Sequence, residues 1–361
     1  MSCSRRRSRA LLGTGLAVAL LAAAGCGAST AKAGGTKNVK VTAVQFGSSL
    51  PFQQQEAAGM RDAATALGAT MSFAGTPLPD GTAQVSAMEQ VTATQPDGIL
   101  AQPLVPAQFT RPIKDAQDRR IQVLQYQVPL AADSPITTFV GPDDIALGRE
   151  AGKAVVDAVT KAKGKDTRGN ILSSECIPGI TQLDYRLKGF TEEIRSGLPN
   201  VTIAKPIISA NDPTTSYSIL KPAVDSATDL VSVYSPCETD TEALSKIHAE
   251  EHASWFAVGH DIDTVTVEGV RTGDILGLYP MSAYAHGYLA AYVLITALQS
   301  GKPMPKGWIP EPSIVLDSST VGADGAALTD TSKMAVFWKP AIDKILAQPD
   351  YGVRPLADAA R

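Results

Sequence analysis

Residues 39–46 read VKVTAVQF, and the loop GSSLPF (47–52), the segment QQQEAAGMRDAATAL (53–67) and, past Gly68 and Ala69, the run TMSFA (70–74) follow. The two short runs are apolar and rich in β-branched residues, whereas 53–67 spaces its apolar residues for a helix, so the stretch reads as strand, helix, strand. The alternation continues. Strands are expected at 98–102, 121–126 and 137–140, with a helix at 82–94 opening after Pro79-Asp80-Gly81, a turn and helix-start signal. A second series starts after Gly169, with strands at 170–174, 202–209, 230–234, 255–258 and 275–278 and helices at 181–196, 215–226 and 239–252. A helix at 283–300, a strand at 313–316 and a tail helix at 332–347 come after both. Strands alternating with helices build a parallel sheet wrapped by helices, so the fold class is α/β, with two consecutive five-strand units.

Upstream of residue 39 the chain has another character. Arg5, Arg6, Arg7 and Arg9 precede an apolar run from Ala10 to Ala24, which ends in Gly25-Cys26. The run is shorter than the roughly 20 residues that span a hydrocarbon core, so residues 1–25 are expected to be a cleaved secretory signal. Ala22-Ala23-Ala24-Gly25-Cys26 resembles the bacterial lipobox, with Ala23 where the commonest form has Leu. That resemblance implies lipidation of Cys26; ordinary cleavage near Gly25 is the alternative. The adjacent arginines also permit twin-arginine export, although Arg9 displaces the hydrophobic pair expected there. Either route leads out of the cytoplasm. Residues 27–37 hold no large apolar side chain, so 26–38 is expected to be a flexible tether. The apolar stretch 288–298 is too short to cross a membrane and suits a packed helix.

The roughly 335 residues that remain exceed what one hydrophobic core serves, which makes two domains the expectation. A charge of −4 with no basic cluster after the signal argues against a nucleic-acid partner. Of four cysteines, Cys3 is lost with the signal and Cys26 is taken by lipid, leaving Cys176 and Cys237 in a compartment where disulfides persist.

Six signposts in order make the reading specific: Pro51-Phe52 after the first strand, Pro96-Asp97-Gly98-Ile99-Leu100 before the third, Asp144-x-x-Leu147-Gly148-x-x-Ala151-Gly152, Arg186-x-x-Gly189-Phe190, Val258-Gly259-His260-Asp261, and His286-Gly287-Tyr288. Together they resemble the type I periplasmic solute-binding proteins of the ribose and galactose group, from about residue 39 to about 319. The resemblance implies two doubly wound parallel-sheet lobes joined by a three-segment hinge. Residues 39–140 and 282–308 are expected to form the first lobe, and 141–281 and 309–361 the second with a helical tail. It further implies the substrate-binding component of an ABC importer: a monomer without cofactor or bound metal, not an enzyme, anchored outside the cell membrane by lipid alone. Its ligand is expected to be a small molecule, a sugar or polyol first, and its protein partners the permease subunits. The same fold presenting ligand to a sensor kinase or chemoreceptor is the alternative output.

Loops leaving the C-terminal ends of parallel strands diverge at the switch point, so ligand-binding residues are expected just after each strand. Phe46 ends the first strand. Phe52 matches the aromatic position that stacks on sugar C–H surface in relatives, and Gln53 replaces what is often a second aromatic. Gln102 stands where relatives carry an amide, and Gln125 and Gln127 replace an Asp-Arg pair that grips hydroxyls. In the second unit Arg186 matches the motif arginine, and Asp184 takes a place nearer the cleft that is often Arg in ribose binders. Asp261 falls on the family's ligand-binding carboxylate. Met281 aligns with an amide, for which Tyr279 or Tyr284 could substitute. Cys176 and Cys237 follow strands one and three of the second unit, neighbours in the doubly wound order, so a disulfide is plausible and Glu175 and Glu238 then line the cleft mouth. Asp184, Met281 and the missing Asp-Arg pair keep open a non-sugar ligand, amine-bearing or more apolar.

One enzyme motif competes. His248-Ala249-Glu250-Glu251-His252 satisfies the inverted zinc-protease pattern H-x-x-E-H. Two histidines do not make a zinc site, which needs a third protein ligand and a groove, so a zinc hydrolase is the remote alternative.

Overall fold

A computed structural model describes residues 38–360. The expected signal 1–25, the lipidation at Cys26 and the tether 26–38 except Asn38 lie outside the described residues.

The first series runs β1 (Lys40–Gln45), α1 (Pro51–Leu67), β2 (Thr70–Gly75), α2 (Gly81–Ala93), β3 (Gly98–Ala101), α3 (Pro106–Asp118), β4 (Gln122–Tyr126) and β5 (Thr138–Gly141). Pro51 opens α1, where its missing N–H costs nothing, and Gly68 closes it in the left-handed region at φ 64°. The Asp80 side chain caps α2 by accepting from the Ala83 N–H. α4 (Asp144–Lys163) leads into β6 (Gly169–Glu175), α5 (Thr181–Gly197), β7 (Val201–Ile203), β8 (Ile207–Ile208), α6 (Pro213–Ser226), β9 (Leu230–Tyr234), α7 (Glu238–Glu251), β10 (Phe256–Val258), α8 (Thr264–Thr272) and β11 (Gly277–Leu278). Then come α9 (Ala283–Ser300), β12 (Gly307–Pro310), β13 (Leu316–Asp317), α10 (Val321–Leu328) and α11 (Thr331–Leu346).

The first sheet is parallel throughout, in the order β12-β5-β4-β3-β1-β2. The second is parallel too, in the order β10-β9-β6-β7, with β8 also on β6. The fold is therefore two doubly wound α/β sheets.

Four expectations change. The strand at 202–209 is broken into β7 and β8 around Pro206, which has no N–H to give a ladder. The strand at 275–278 shrinks to β11, antiparallel to β13 and linked to the β10 end by a bridge between Gly259 and Leu278 and by the Leu276 N–H, which donates to the Ala257 carbonyl at 2.7 Å. The strand at 313–316 starts only at Leu316, and β12 precedes it, pairing with β5. The boundary between 308 and 309 thus falls inside a strand of the first sheet. Finally, the tail does not stay with the second sheet. α10 lies on α8 and β13, but α11 lies on α9 and α1. Met334, Trp338 and Ile342 recur every four residues on α11 and bury one stripe. Beyond it, Arg354 and Trp308 exchange backbone hydrogen bonds of 2.7 Å each, tying the chain's end to β12.

Three signposts prove to be close helix crossings. A Cβ on Gly148 would lie 2.0 Å from the Arg186 carbonyl oxygen and one on Gly189 2.1 Å from that of Ile145, so α4 and α5 touch backbone to backbone. α1 and α9 repeat the device: a Cβ on Gly59 would meet the Tyr284 oxygen at 2.0 Å and one on Gly287 the Glu56 oxygen at 2.3 Å. Each crossing is also tied by a buried ion pair, Arg186 with Asp144 and His286 with Glu56.

Candidate ligand cleft

The C-terminal ends of both sheets face one cavity of about 60 Å³. Phe46 enters it directly from β1, and Leu104 lies three residues beyond β3. From the second sheet Cys176 follows β6, Cys237 follows β9 and Asp261 lies three residues past β10. Several helices start at the same rim, which brings Phe52 of α1, Leu183 and Arg186 of α5, and Glu238 of α7 to the wall.

Much of that wall is apolar. The Phe46 and Phe52 rings meet edge to face, with centroids 6.2 Å apart. Leu104 and Val128 join Phe46 from the first sheet's loops and Ile180 and Leu183 come from the second side, forming one hydrophobic cluster. Cys176 and Cys237, also in that cluster, are disulfide-bonded with Cα atoms 6.3 Å apart.

The polar wall centres on Arg186, which is fully buried. Its Nε donates to Asp144 Oδ1 at 2.9 Å, its Nη1 donates to the Pro236 carbonyl at 2.9 Å, and Nη1 lies 3.7 Å from Asp261 Oδ2. Asp261 adopts a left-handed backbone at φ 65°, unusual for a residue with a Cβ and tolerated best by Asp, Asn and Gly. Burial pushes the Asp261 carboxyl pKa up, against Arg186, which lowers it. Burial likewise pushes Asp144 up to about 7, with Arg186 opposing. Four buried atoms on this wall have no hydrogen-bond partner among the described residues: Arg186 Nη2, Asp261 Oδ1, Gln182 Oε1 and Glu238 Oε1.

The glutamines behave differently. Gln53 and Gln102 do not line the cavity; they turn inward into a buried chain. Gln45 Nε2 donates to Gln53 Oε1 at 2.8 Å, Gln53 Nε2 to Gln102 Oε1 at 2.8 Å, and Gln102 Nε2 to Glu56 Oε2 at 2.8 Å and to Gln127 Oε1. Gln127 Nε2 then reaches Met281 Sδ at 3.3 Å, and Met281 does line the cavity. Gln125 holds the turn after β4, donating to the Val128 and Pro129 carbonyls at 2.8 and 3.2 Å. The same network ends on His286, whose Nε2 lies 2.8 Å from Glu56 Oε1 and Nδ1 2.7 Å from Glu311 Oε2. Burial pulls the imidazolium pKa down, but Glu311 and Glu56 outweigh it and leave His286 at about 10. Burial also pushes the Glu56 carboxyl pKa up, with His286 opposing.

Four more residues considered for the site lie elsewhere. Asp184 is exposed and lines a separate surface groove with Lys188 and Glu192. Glu175 Oε1 accepts from the Gly179 N–H at 3.3 Å and does not line the cavity. Tyr279 lines another groove and Tyr284 donates to Asp62 Oδ2 at 2.6 Å, so neither takes the place considered for it beside Met281. Of the expected set, the cavity gathers Phe46, Phe52, Arg186, Glu238, Asp261 and Met281. Leu50, Leu104, Ile177, Ile180, Leu183, Gln182, Asn211 and Thr239 were missed. The apolar five look like core residues in sequence; Gln182 and Thr239 stand next to helix starts, a signal that strand-end reasoning passes over.

The H-x-x-E-H pair forms no metal site. His248 Nδ1 lies 3.0 Å from Asp274 Oδ1 and Nε2 3.0 Å from the Trp255 carbonyl, so both ring nitrogens are occupied. His252 is the left-handed cap that ends α7, at φ 49°.

Residues 41–303 match the family model described as a periplasmic binding protein domain. No curated protein sequence matches the chain. Among solved structures, it is similar to a carbohydrate transporter solute-binding protein from Agrobacterium radiobacter in complex with D-arabinose, at TM-score 0.72 and 20% identity over 81% of this chain and 99% of that one. An ABC transporter solute-binding protein from Agrobacterium vitis bound with α-D-tagatopyranose gives 0.71 at 21% identity over 81% and 98%. One from Mycobacterium smegmatis with bound glycerol gives 0.69 at 21% identity, again over 81% and 98%. No helix among the described residues is long and apolar enough to cross a membrane.

Proposed function

We propose that this chain, which belongs to the periplasmic binding protein domain family, captures a small organic solute between two α/β lobes outside the cytoplasm and presents it to the permease of an importer. The cavity is the observation that carries this reading: its walls come from the strand ends of both sheets, so a solute held there touches both and favours the closed arrangement by its differential affinity. Arg186, Glu238, Asp261 and the Phe46–Phe52 pair are the contacting residues we assign, and Met281 the link to the amide chain. Lipidation at Cys26 would keep the protein beside its permease. A sugar or polyol is the first ligand class to try, since three similar structures hold D-arabinose, α-D-tagatopyranose and glycerol.

The test is mass spectrometry of the full chain purified in mild detergent, first native and then denatured. A small molecule near one per chain, released on denaturation and lost in Asp261→Ala, supports the reading. Release of nothing, together with no thermal shift from any sugar, polyol, amino acid or amine, overturns it.

A further inference from the structure

The cavity's charge and polarity say more about the solute than its position does. Arg186 has two carboxylates beside it, Asp144 and Asp261, and a third, Glu238, lines the same cavity. Arg186 is engaged by Asp144 and faces Asp261 at 3.7 Å, whereas Glu238 forms no ion pair among the described residues. Behind Glu238 the carboxylates of Glu242, one turn along α7, and of Asp263, the N-cap of α8, lie with it inside a span of 4.8 Å. Asp263 spends Oδ1 on the Val265 and Thr266 N–H groups, and its carboxyl pairs with that of Glu242, which burial and Asp263 push up to about 7. The unmatched atoms on the cavity wall are three acceptors, on Glu238, Asp261 and Gln182, and one donor, on Arg186. A neutral polyol, which gives and takes at every hydroxyl, does not fill a wall so biased; a group that only donates does.

We propose that the solute is a small organic cation, with a protonated amine set on Glu238 and Asp261 and an apolar face laid on the Phe46, Phe52 and Leu104 side. An amino sugar with its C–H face and an arylalkylamine both have this chemistry. The ammonium supplies the charge that Glu238 lacks, and the aromatic pair adds a favourable surface for the carbon body. Burial, and then Asp261, Asp263 and Glu242, push the Glu238 carboxyl pKa well up. An ammonium beside it opposes that shift, so binding is coupled to loss of whatever proton the carboxyl carries.

This inference rests on the solute-binding reading, and its test separates the two. The full chain, stripped of co-purified solute by reversible partial denaturation, is titrated calorimetrically with matched pairs: D-glucosamine against D-glucose, and phenethylamine against 2-phenylethanol. Each titration is run in two buffers of different ionisation enthalpy. We expect at least one amine to bind at least tenfold tighter than its neutral partner and to release protons, and Glu238→Gln to erase both the preference and the release. If D-glucose or D-arabinose binds and neither amine exceeds its neutral partner, the cation is refuted while the solute-binding reading stands. If calcium chloride alone raises the unfolding temperature of the wild type and not of Glu238→Gln, a metal occupies the carboxylates and the inference falls. If the amine preference survives Glu238→Gln unchanged, the assigned site is wrong.

Discussion

Arg186 Nη1 stands 3.7 Å from Asp261 Oδ2 at the cavity wall while its Nε holds Asp144 at 2.9 Å, so the residue that ties α5 to α4 also faces the solute. Asp261→Asn keeps the size and the left-handed backbone but removes the charge. It should weaken solute binding at least tenfold while changing the unfolding temperature without solute by only a few degrees. Calorimetry beside thermal unfolding checks both.

Arg186→Met leaves Asp144 buried without its cation. Breaking one partner of a buried ion pair costs about 3 kcal/mol or more, and removing both costs far less. Urea unfolding of Arg186→Met should therefore show a large loss, much of it recovered in Arg186→Met with Asp144→Leu. Equal stability of the single and double variants would mean that the pair contributes little.

The crossing glycines predict a steric loss. Gly189→Ala places a methyl 2.1 Å from the Ile145 carbonyl oxygen and must part α4 from α5, at a cost of about 1–3 kcal/mol. Gly322→Ala in α10 meets nothing within 4 Å and should leave the urea midpoint unchanged or raise it.

His286 gives a pH dependence of known sign. Its pKa is raised to about 10 in the fold, above the ~6.5 of an unfolded histidine. Its stabilising contribution is thus fully present below about pH 6.5 and is lost as pH rises toward 10. Urea midpoints should fall across that window in the wild type and fall less in His286→Gln. Identical slopes would show that Glu56 and Glu311 do not hold the proton on His286.

The α/β alternation was legible because strand and helix periods differ along the whole chain, and the signposts were legible as residues though not as causes. Gly148, Gly189 and Gly287 mark the motif because helices cross there with no room for a Cβ, a fact about two elements that one sequence does not display. The site was half legible. Reading strand ends found Phe46 and Asp261, and the motif found Arg186, but the direction in which a strand-end side chain turns depends on its loop. Gln53 and Gln102 stand at suitable positions and point into the protein, where Glu56 and Gln127 satisfy them. Leu104 and Leu183 were invisible because an apolar residue facing a cavity and one facing a core look alike in sequence. β12 was hidden in Gly-Trp-Ile-Pro, a run too short and too rich in Gly and Pro to read as a strand.

The disulfide closes a loop of 61 residues and also walls the cavity, so its loss should be felt twice. Cross-linking a loop of that length restrains the unfolded chain by about 4 kcal/mol. The Cys176→Ser, Cys237→Ser double variant should unfold at lower urea and bind solute more weakly; weaker binding with unchanged stability would confine its role to the cavity wall.

Closure on a solute is the central claim, and a distance across the cleft tests it most directly. Leu78, beyond β2, and Ile208, in β8, are both exposed, one on each side, and accept spin labels as Leu78→Cys and Ile208→Cys with the native disulfide intact. Double electron–electron resonance on the full chain in detergent should give one narrow distance with the co-purified solute, a longer and broader distribution once it is removed, and the narrow one again when it is restored. The same distribution in all three states would contradict capture by closure.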